Sequence, residues 1–265
     1  MLAQTMAPTL NFRPSQNRNA RSVTLVNRST KQIIAELTNT GNLLCDQGNP
    51  DGALECFLKA MSLLNTCRTV GDKRIAICHY NTARAYAILD KNEDALEHYR
   101  HALDASPRLV QAHNNIGMLL NQSGHFEEAE EHFKKAIKID GLFAPAYYGL
   151  GVALQSMGDH VNAAFAYQKA LTFNPESYPA WINLGLVCHS IENYEVAINC
   201  YKEAIGISNI DAEAFYNLGL AHMGAGDLKQ AATAFSDALK IKPDHESAQD
   251  AVRETMYFLL ERQGF

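Results

Sequence analysis

The stretch APAYYGLGVALQSMGDHVNAAFAYQKALTFNP, residues 144–175, decides how the chain is read. It sets Tyr147, Leu150 and Gly151 before a glycine at 158, then Ala163, Tyr167 and Ala170 before Pro175. This order suits two helices joined by a tight turn and closed by a residue that cannot continue a helix. The same set returns 34 residues later as Trp181, Leu184, Gly185, Ala197, Tyr201 and Ala204. One step further it is Phe215, Leu218, Gly219, Gly226, Ala231, Phe235, Ala238 and Pro243. Backwards it is His113, Ile116, Gly117, Gly124, Ala129, Phe133 and Ala136, and before that Ala83, Tyr86, Ala95, Tyr99, Ala102 and Pro107. An earliest copy, with Leu37, Gly41, Gly48, Ala53, Phe57 and Ala60, is offset by 42, so eight extra residues lie between Asn65 and Ile75. A lengthened helix end followed by a loop accounts for them.

The period has a mechanical meaning. The glycine of the first helix and the alanine opening the second are expected to be small because the paired helices cross there, and a larger side chain would part them. The aromatic at the 24th place is expected to fill the space beside that crossing and to face the next unit's first aromatic. No unit can bury its apolar face alone, so stacking supplies the core.

Eight positions recurring in phase over six units resemble the tetratricopeptide repeat, from about Ile34 to His245, roughly four-fifths of the chain. The resemblance implies an all-α fold: a right-handed superhelical solenoid whose first helices line a concave groove and whose second helices form the back. The expected units are 34–75, which carries the insertion, then 76–109, 110–143, 144–177, 178–211 and 212–245. Residues 246–265, with Ala248, Val252, Met256 and Leu259 at helical spacing, suit a helix that closes such an array. Residues 1–33 have no apolar periodicity and suit a disordered basic tail. An Arg-rich, acid-free tail also resembles a transit peptide, so an intracellular, cytoplasmic placement is expected with organellar import as the alternative.

Charge narrows the partners. Of 23 Lys and Arg residues five precede Ile34 (Arg13, Arg18, Arg21, Arg28, Lys31) and none of the 29 Asp and Glu residues does, so the rest of the chain carries 18 positive and 29 negative charges. A body at −11 repels phosphate backbones, which argues against nucleic acid as a partner. No apolar run approaches a membrane span of roughly 18 residues. The six cysteines (Cys45, Cys56, Cys67, Cys78, Cys188, Cys200) contain no C-x-x-C pair, which suits reduced, partly buried thiols.

Chemistry is sparse. No phosphate-binding loop, nucleophile elbow, dinucleotide fingerprint or H-E-x-x-H motif occurs, so no enzyme activity and no cofactor are expected. His98 and His101, three apart beside Glu97, share one helix face, the best metal candidate by spacing. They fall on a second helix at solvent-facing places, as do His125 and His132 beside an acidic helix, and surface histidines without a metal are the expectation.

The sixth place of each unit stands out: Asn39, Asn81, Asn115, Gly149, Asn183 and Asn217. Asparagine is a mediocre helix former, yet its amide both donates and accepts and can hold a peptide bond. Similar asparagine ladders occur in peptide-binding members of the family, including the repeats of O-linked N-acetylglucosamine transferases; the alternative is that asparagine bonds neighbouring helices. The family's clamp for chaperone C-terminal carboxylates needs groove cations, and the matching places hold Thr38, Asn42, Asn81, Gln111 and Asn115, with Arg84 the one cation placed in the groove's first half. Tyr80, Tyr148, Ile182 and Tyr216, with Met118, Val152, Leu186 and Leu220, complete the expected groove, some of the aliphatic ones as inter-helix packing. The expected role is an adaptor or scaffold that binds a protein or peptide partner, either an extended peptide or a partner helix. The alternatives are an array serving a separate catalytic subunit, such as a glycosyltransferase, and an organellar assembly factor.

Overall fold

The computed structural model describes residues 18–66 and 73–262, and all regular structure among them is helical. Pairs form as the period requires: α1 (Arg18–Asp46) with α2 (Pro50–Thr66), α3 (Lys73–Ile88) with α4 (Asn92–Ala105), and α5 (Val110–Gln122) with α6 (Phe126–Ile139). Then come α7 (Ala144–Ser156) with α8 (His160–Phe173), α9 (Tyr178–Ser190) with α10 (Tyr194–Ile207), and α11 (Ala212–Gly224) with α12 (Leu228–Ile241). A last helix, α13 (Glu246–Arg262), lies on α12. The helices group into two compact units, one ending at Ala105 and one beginning at Ser106.

The start of the chain differs from the sequence reading. Helix α1 is continuous from Arg18, so the boundary expected at residue 33 falls inside a helix, where polar residues had given no apolar start signal. Residues 1–17 of the expected tail lie outside the described residues, as do residues 67–72 of the insertion, Cys67 among them.

Turns between paired helices share one backbone device. Gly48, Gly124, Gly158 and Gly226 have φ from 74° to 82°, the left-handed region where a Cβ is costly. The two other hairpins place Asp90 (φ 57°) and Glu192 (φ 61°) there. The next residue opens the second helix: Asp159 accepts from the Asn162 amide at 3.2 Å, Asn193 from Val196 at 3.4 Å and Asp227 from Gln230 at 3.3 Å.

Packing explains the small residues more closely than the sequence could. A Cβ at Gly151 would stand 2.6 Å from the Tyr167 ring, one at Gly185 2.6 Å from Tyr201, and one at Gly219 2.4 Å from Phe235. The ring at the 24th place therefore sits on the glycine of its own pair, and that of Phe133 also reaches Gly149 of the next pair. A tyrosine of the same pair covers it: Tyr148 stacks on Tyr167 at 5.8 Å and Tyr216 on Phe235 at 5.6 Å. The alanines opening the second helices (Ala53, Ala95, Ala129, Ala163, Ala197, Ala231) are fully buried.

The fourth place of the first helix has a further task. His113, Tyr147, Trp181 and Gln249 each reach the carbonyl six residues back, at Pro107, Gly141, Pro175 and Pro243, over 2.7–3.2 Å. These carbonyls would otherwise be unpaired where the chain leaves the preceding helix. Helix α13 packs on α12 with Ala248, Ala251 and Thr255 buried, while Arg253, ion-paired to Asp250, takes the place that holds glycine in earlier first helices.

Candidate functional site

The nine residues picked from the sequence divide between the two units. In the first, Asn39 is exposed on α1, and Tyr80 and Arg84 are half-buried on α3, Tyr80 with its ring 5.7 Å from Tyr99. Asn81 is 5% exposed and turned into the helix packing. In the second, Asn115 stands on α5, Tyr148 on α7, Asn183 on α9, and Tyr216 and Asn217 on α11, all half-buried.

Within the second unit the first helices of neighbouring pairs touch directly, α5 with α7 and α9 with α11. Neighbours close up in this way on the inner side of a curved stack. Two amide bonds lock that face. Asn183 Nδ2 donates to the Tyr148 hydroxyl at 3.2 Å, and Asn121 Nδ2 donates to the Gly149 carbonyl at 3.2 Å. Asn115 accepts from Asn114 Nδ2 at 3.2 Å. The Asn183 bond decides what Tyr148 can still do: its oxygen accepts, so its proton remains to be donated. Burial pushes the Tyr148 phenol above its ordinary range, against the small opposing effect of the Asn183 bond, and keeps it protonated.

The gap at Gly149 is steric. A Cβ there would lie 2.3 Å from the Phe133 ring of the preceding pair, so no asparagine fits. Sequence reasoning passed over Asn114 and Asn121. Asn114 holds the place that carries Tyr148 and Tyr216 one and three repeats later, and its Oδ1 is buried without a partner, as is Asn121 Oδ1. The 34-residue phase alone could have put Asn114 in that column.

Three places after the asparagine column runs an aliphatic one: Met118 (47% exposed), Val152, Leu186 (37% exposed) and Leu220. No charge interrupts it from α5 to α11, and Glu254 follows at the same place on α13. Beside Tyr148 a cleft of about 180 Å³ opens between Ala144, Pro145, Ala170, Asn174 and Ser177. This face offers apolar area, a hydroxyl and amides.

Elsewhere the chemistry is muted. Burial raises the Cys188 thiol, and raises Cys200 to about 12, so neither is held as thiolate. Among the described residues no three His, Cys, Asp or Glu side chains converge, as placed, on one metal position, and no helix is long and apolar enough to cross a membrane. In the first unit, however, His79 of α3 lies against His98 and His101 of α4, with ring centroids 5.2 and 5.1 Å away.

Comparison with known proteins agrees with this architecture. Family models described as tetratricopeptide repeat match residues 33–108, 110–141, 144–177 and 212–245, and one described as TPR repeat matches 185–226. No curated protein sequence matches the chain. Among solved structures, MamA is 28% identical over 62% of this chain and 96% of its own, with a TM-score of 0.58. YrrB, described as a TPR protein with an unusual peptide-binding site, is 24% identical over 76% of this chain and 99% of its own, at 0.65. PilF of Pseudomonas aeruginosa is 19% identical over 85% and 99%, at 0.72.

Proposed function

The chain belongs to the tetratricopeptide-repeat family, a protein-interaction scaffold by fold, and on that premise we propose that its second unit binds an extended, uncharged segment of a partner protein. The segment lies along the face formed by α5, α7, α9 and α11. One observation carries the reading: Asn183 donates to Tyr148 across successive first helices, which leaves the Tyr148 proton for an outside acceptor. A peptide carbonyl is such an acceptor. The aliphatic column of Met118, Val152, Leu186 and Leu220 supplies the apolar area beside it.

The sequence's amide ladder enters this reading in modified form. Asn115 and Asn183 act through Asn114 and Tyr148 as well as directly, so the amides orient the groove's polar atoms as much as they present their own. Asn217 stands half-buried at the same place on α11.

Selection from a displayed library of random peptides on the untagged chain tests the proposal. Peptides enriched in aliphatic residues and poor in charge are expected, each binding one site by calorimetry. Enrichment of acidic or basic peptides would overturn the neutral-groove reading.

A further inference from the structure

The α3–α4 hairpin of the first unit holds a group of histidines that the peptide-binding reading does not use. His79 Nδ1 and His98 Nδ1 share a hydrogen bond at 3.1 Å, which a metal ion would replace. On one tetrahedral zinc, with bonds of 2.0–2.1 Å, two imidazole nitrogens stand about 3.3 Å apart. The two rings therefore already hold nearly the separation that a shared metal would impose. Stacking of Tyr86 on His98 at 5.4 Å keeps that ring in place.

A third imidazole is within reach. His101 follows His98 by three residues on α4, so both lie on one face, and its ring centroid is 5.1 Å from that of His79. As placed, His101 contacts Glu97 at 3.5 Å and Asp104 at 3.7 Å. Both contacts are at the helix surface and long, so little is lost when the ring turns toward His79 and His98.

From this geometry we infer that His79, His98 and His101 form a binding site for a divalent transition metal of the zinc, nickel or copper class. Neutral imidazole is the form that binds such an ion, so binding is favoured as pH rises through the histidine range. Three imidazoles leave a fourth position for water or a group from a partner. A metal there fastens α3 to α4. Imidazole donors suit these ions and not magnesium or calcium.

The second unit contains its own control. His113 and His132 stand 34 residues after His79 and His98 and also oppose their Nδ1 atoms, at 3.3 Å. The residue matching His101 is Lys135, a cation that both removes the third ligand and repels a metal ion. The geometry predicts one site per chain, not two.

The test is calorimetry of untagged, chelator-treated full chain with zinc chloride, repeated for His101→Lys, His79→Ala and His113→Ala. One equivalent of zinc is expected for the unaltered chain and for His113→Ala, with at least tenfold weaker binding for the other two. His101 is half-exposed, so His101→Lys keeps the fold even where His79→Ala does not. Zinc should also raise the melting temperature of the unaltered chain and leave that of His101→Lys where it was. Absence of binding, binding that persists in His101→Lys, or loss of binding in His113→Ala would each overturn the assignment.

Discussion

The α3–α4 hairpin and the α5–α6 hairpin follow one pattern 34 residues apart, yet they present different chemistry. Ala95 matches Ala129 and Ala102 matches Ala136, and all four are fully buried. Ala83 takes the place of Gly117 and Tyr99 that of Phe133, and both rings are buried. Away from the crossing the two part company. Arg84 answers to Met118, Tyr80 to Asn114, and His101 to Lys135. Packing constrains the places that meet inside a pair, and it leaves the inner face and the second helix's outer face free to differ. The first hairpin gathers imidazoles and a guanidinium; the second begins the aliphatic column that continues through α7, α9 and α11.

Changing Asn115, Asn183 and Asn217 together to alanine tests this comparison with the largest effect. Each amide supports a neutral hydrogen bond to the bound segment, directly or through Tyr148, worth about 0.5–1.5 kcal/mol. The triple variant should bind a selected peptide roughly 1.5–4.5 kcal/mol more weakly, tenfold to a thousandfold or more. Asn39→Ala in the first unit should leave that affinity alone. The variant should stay folded, because losing the Asn183–Tyr148 bond costs about 0.5–1.5 kcal/mol and alanine, the better helix former, offsets part of it. Loss of binding accompanied by unfolding would instead make the asparagines structural.

A smaller effect separates the crossings. The α3–α4 hairpin carries a methyl at Ala83, whereas a Cβ at Gly117 would stand 2.8 Å from the Phe133 ring. Gly117→Leu should therefore cost about 1–3 kcal/mol by overpacking. Gly206, with nothing within 4 Å of its Cβ position, should accept leucine at no packing cost. Equal melting temperatures for the two variants would show that the crossing is not where the glycine acts.

The turns give a smaller effect of opposite sign. Glu192 holds a left-handed conformation that Gly158 and Gly226 occupy in neighbouring hairpins. Glu192→Gly should stabilise the second unit by about 0.5–1 kcal/mol, and denaturant unfolding reads this directly. A loss of stability would mean that the glutamate side chain contributes more than its backbone costs.

Most of the fold is legible in the sequence, because a 34-residue period carries the helix pairing, the turns and the small residues at the crossings. What the period cannot carry is which atoms meet between helices. The phase puts Asn183 and Tyr148 on successive first helices, but their hydrogen bond depends on how far apart those helices stand. Gly149 reads as a gap in a row until the Phe133 ring shows why no side chain fits. His98 and His101 read as surface residues because their spacing is local, while His79 reaches them only through the hairpin. The start of α1 was hidden for the opposite reason, since its first residues lack the apolar spacing by which helices are recognised.

The central claim, recognition through neutral contacts along α5, α7, α9 and α11, is tested most directly by the salt dependence of affinity for a selected peptide. Calorimetry between 50 and 500 mM salt (about 14 to 4 Å of screening length) would register any ion pair at the site. The account predicts a dissociation constant unchanged within about twofold, because neither a tyrosine hydroxyl nor an amide bears charge. A tenfold or greater loss across that range would contradict it and place recognition on charged side chains instead.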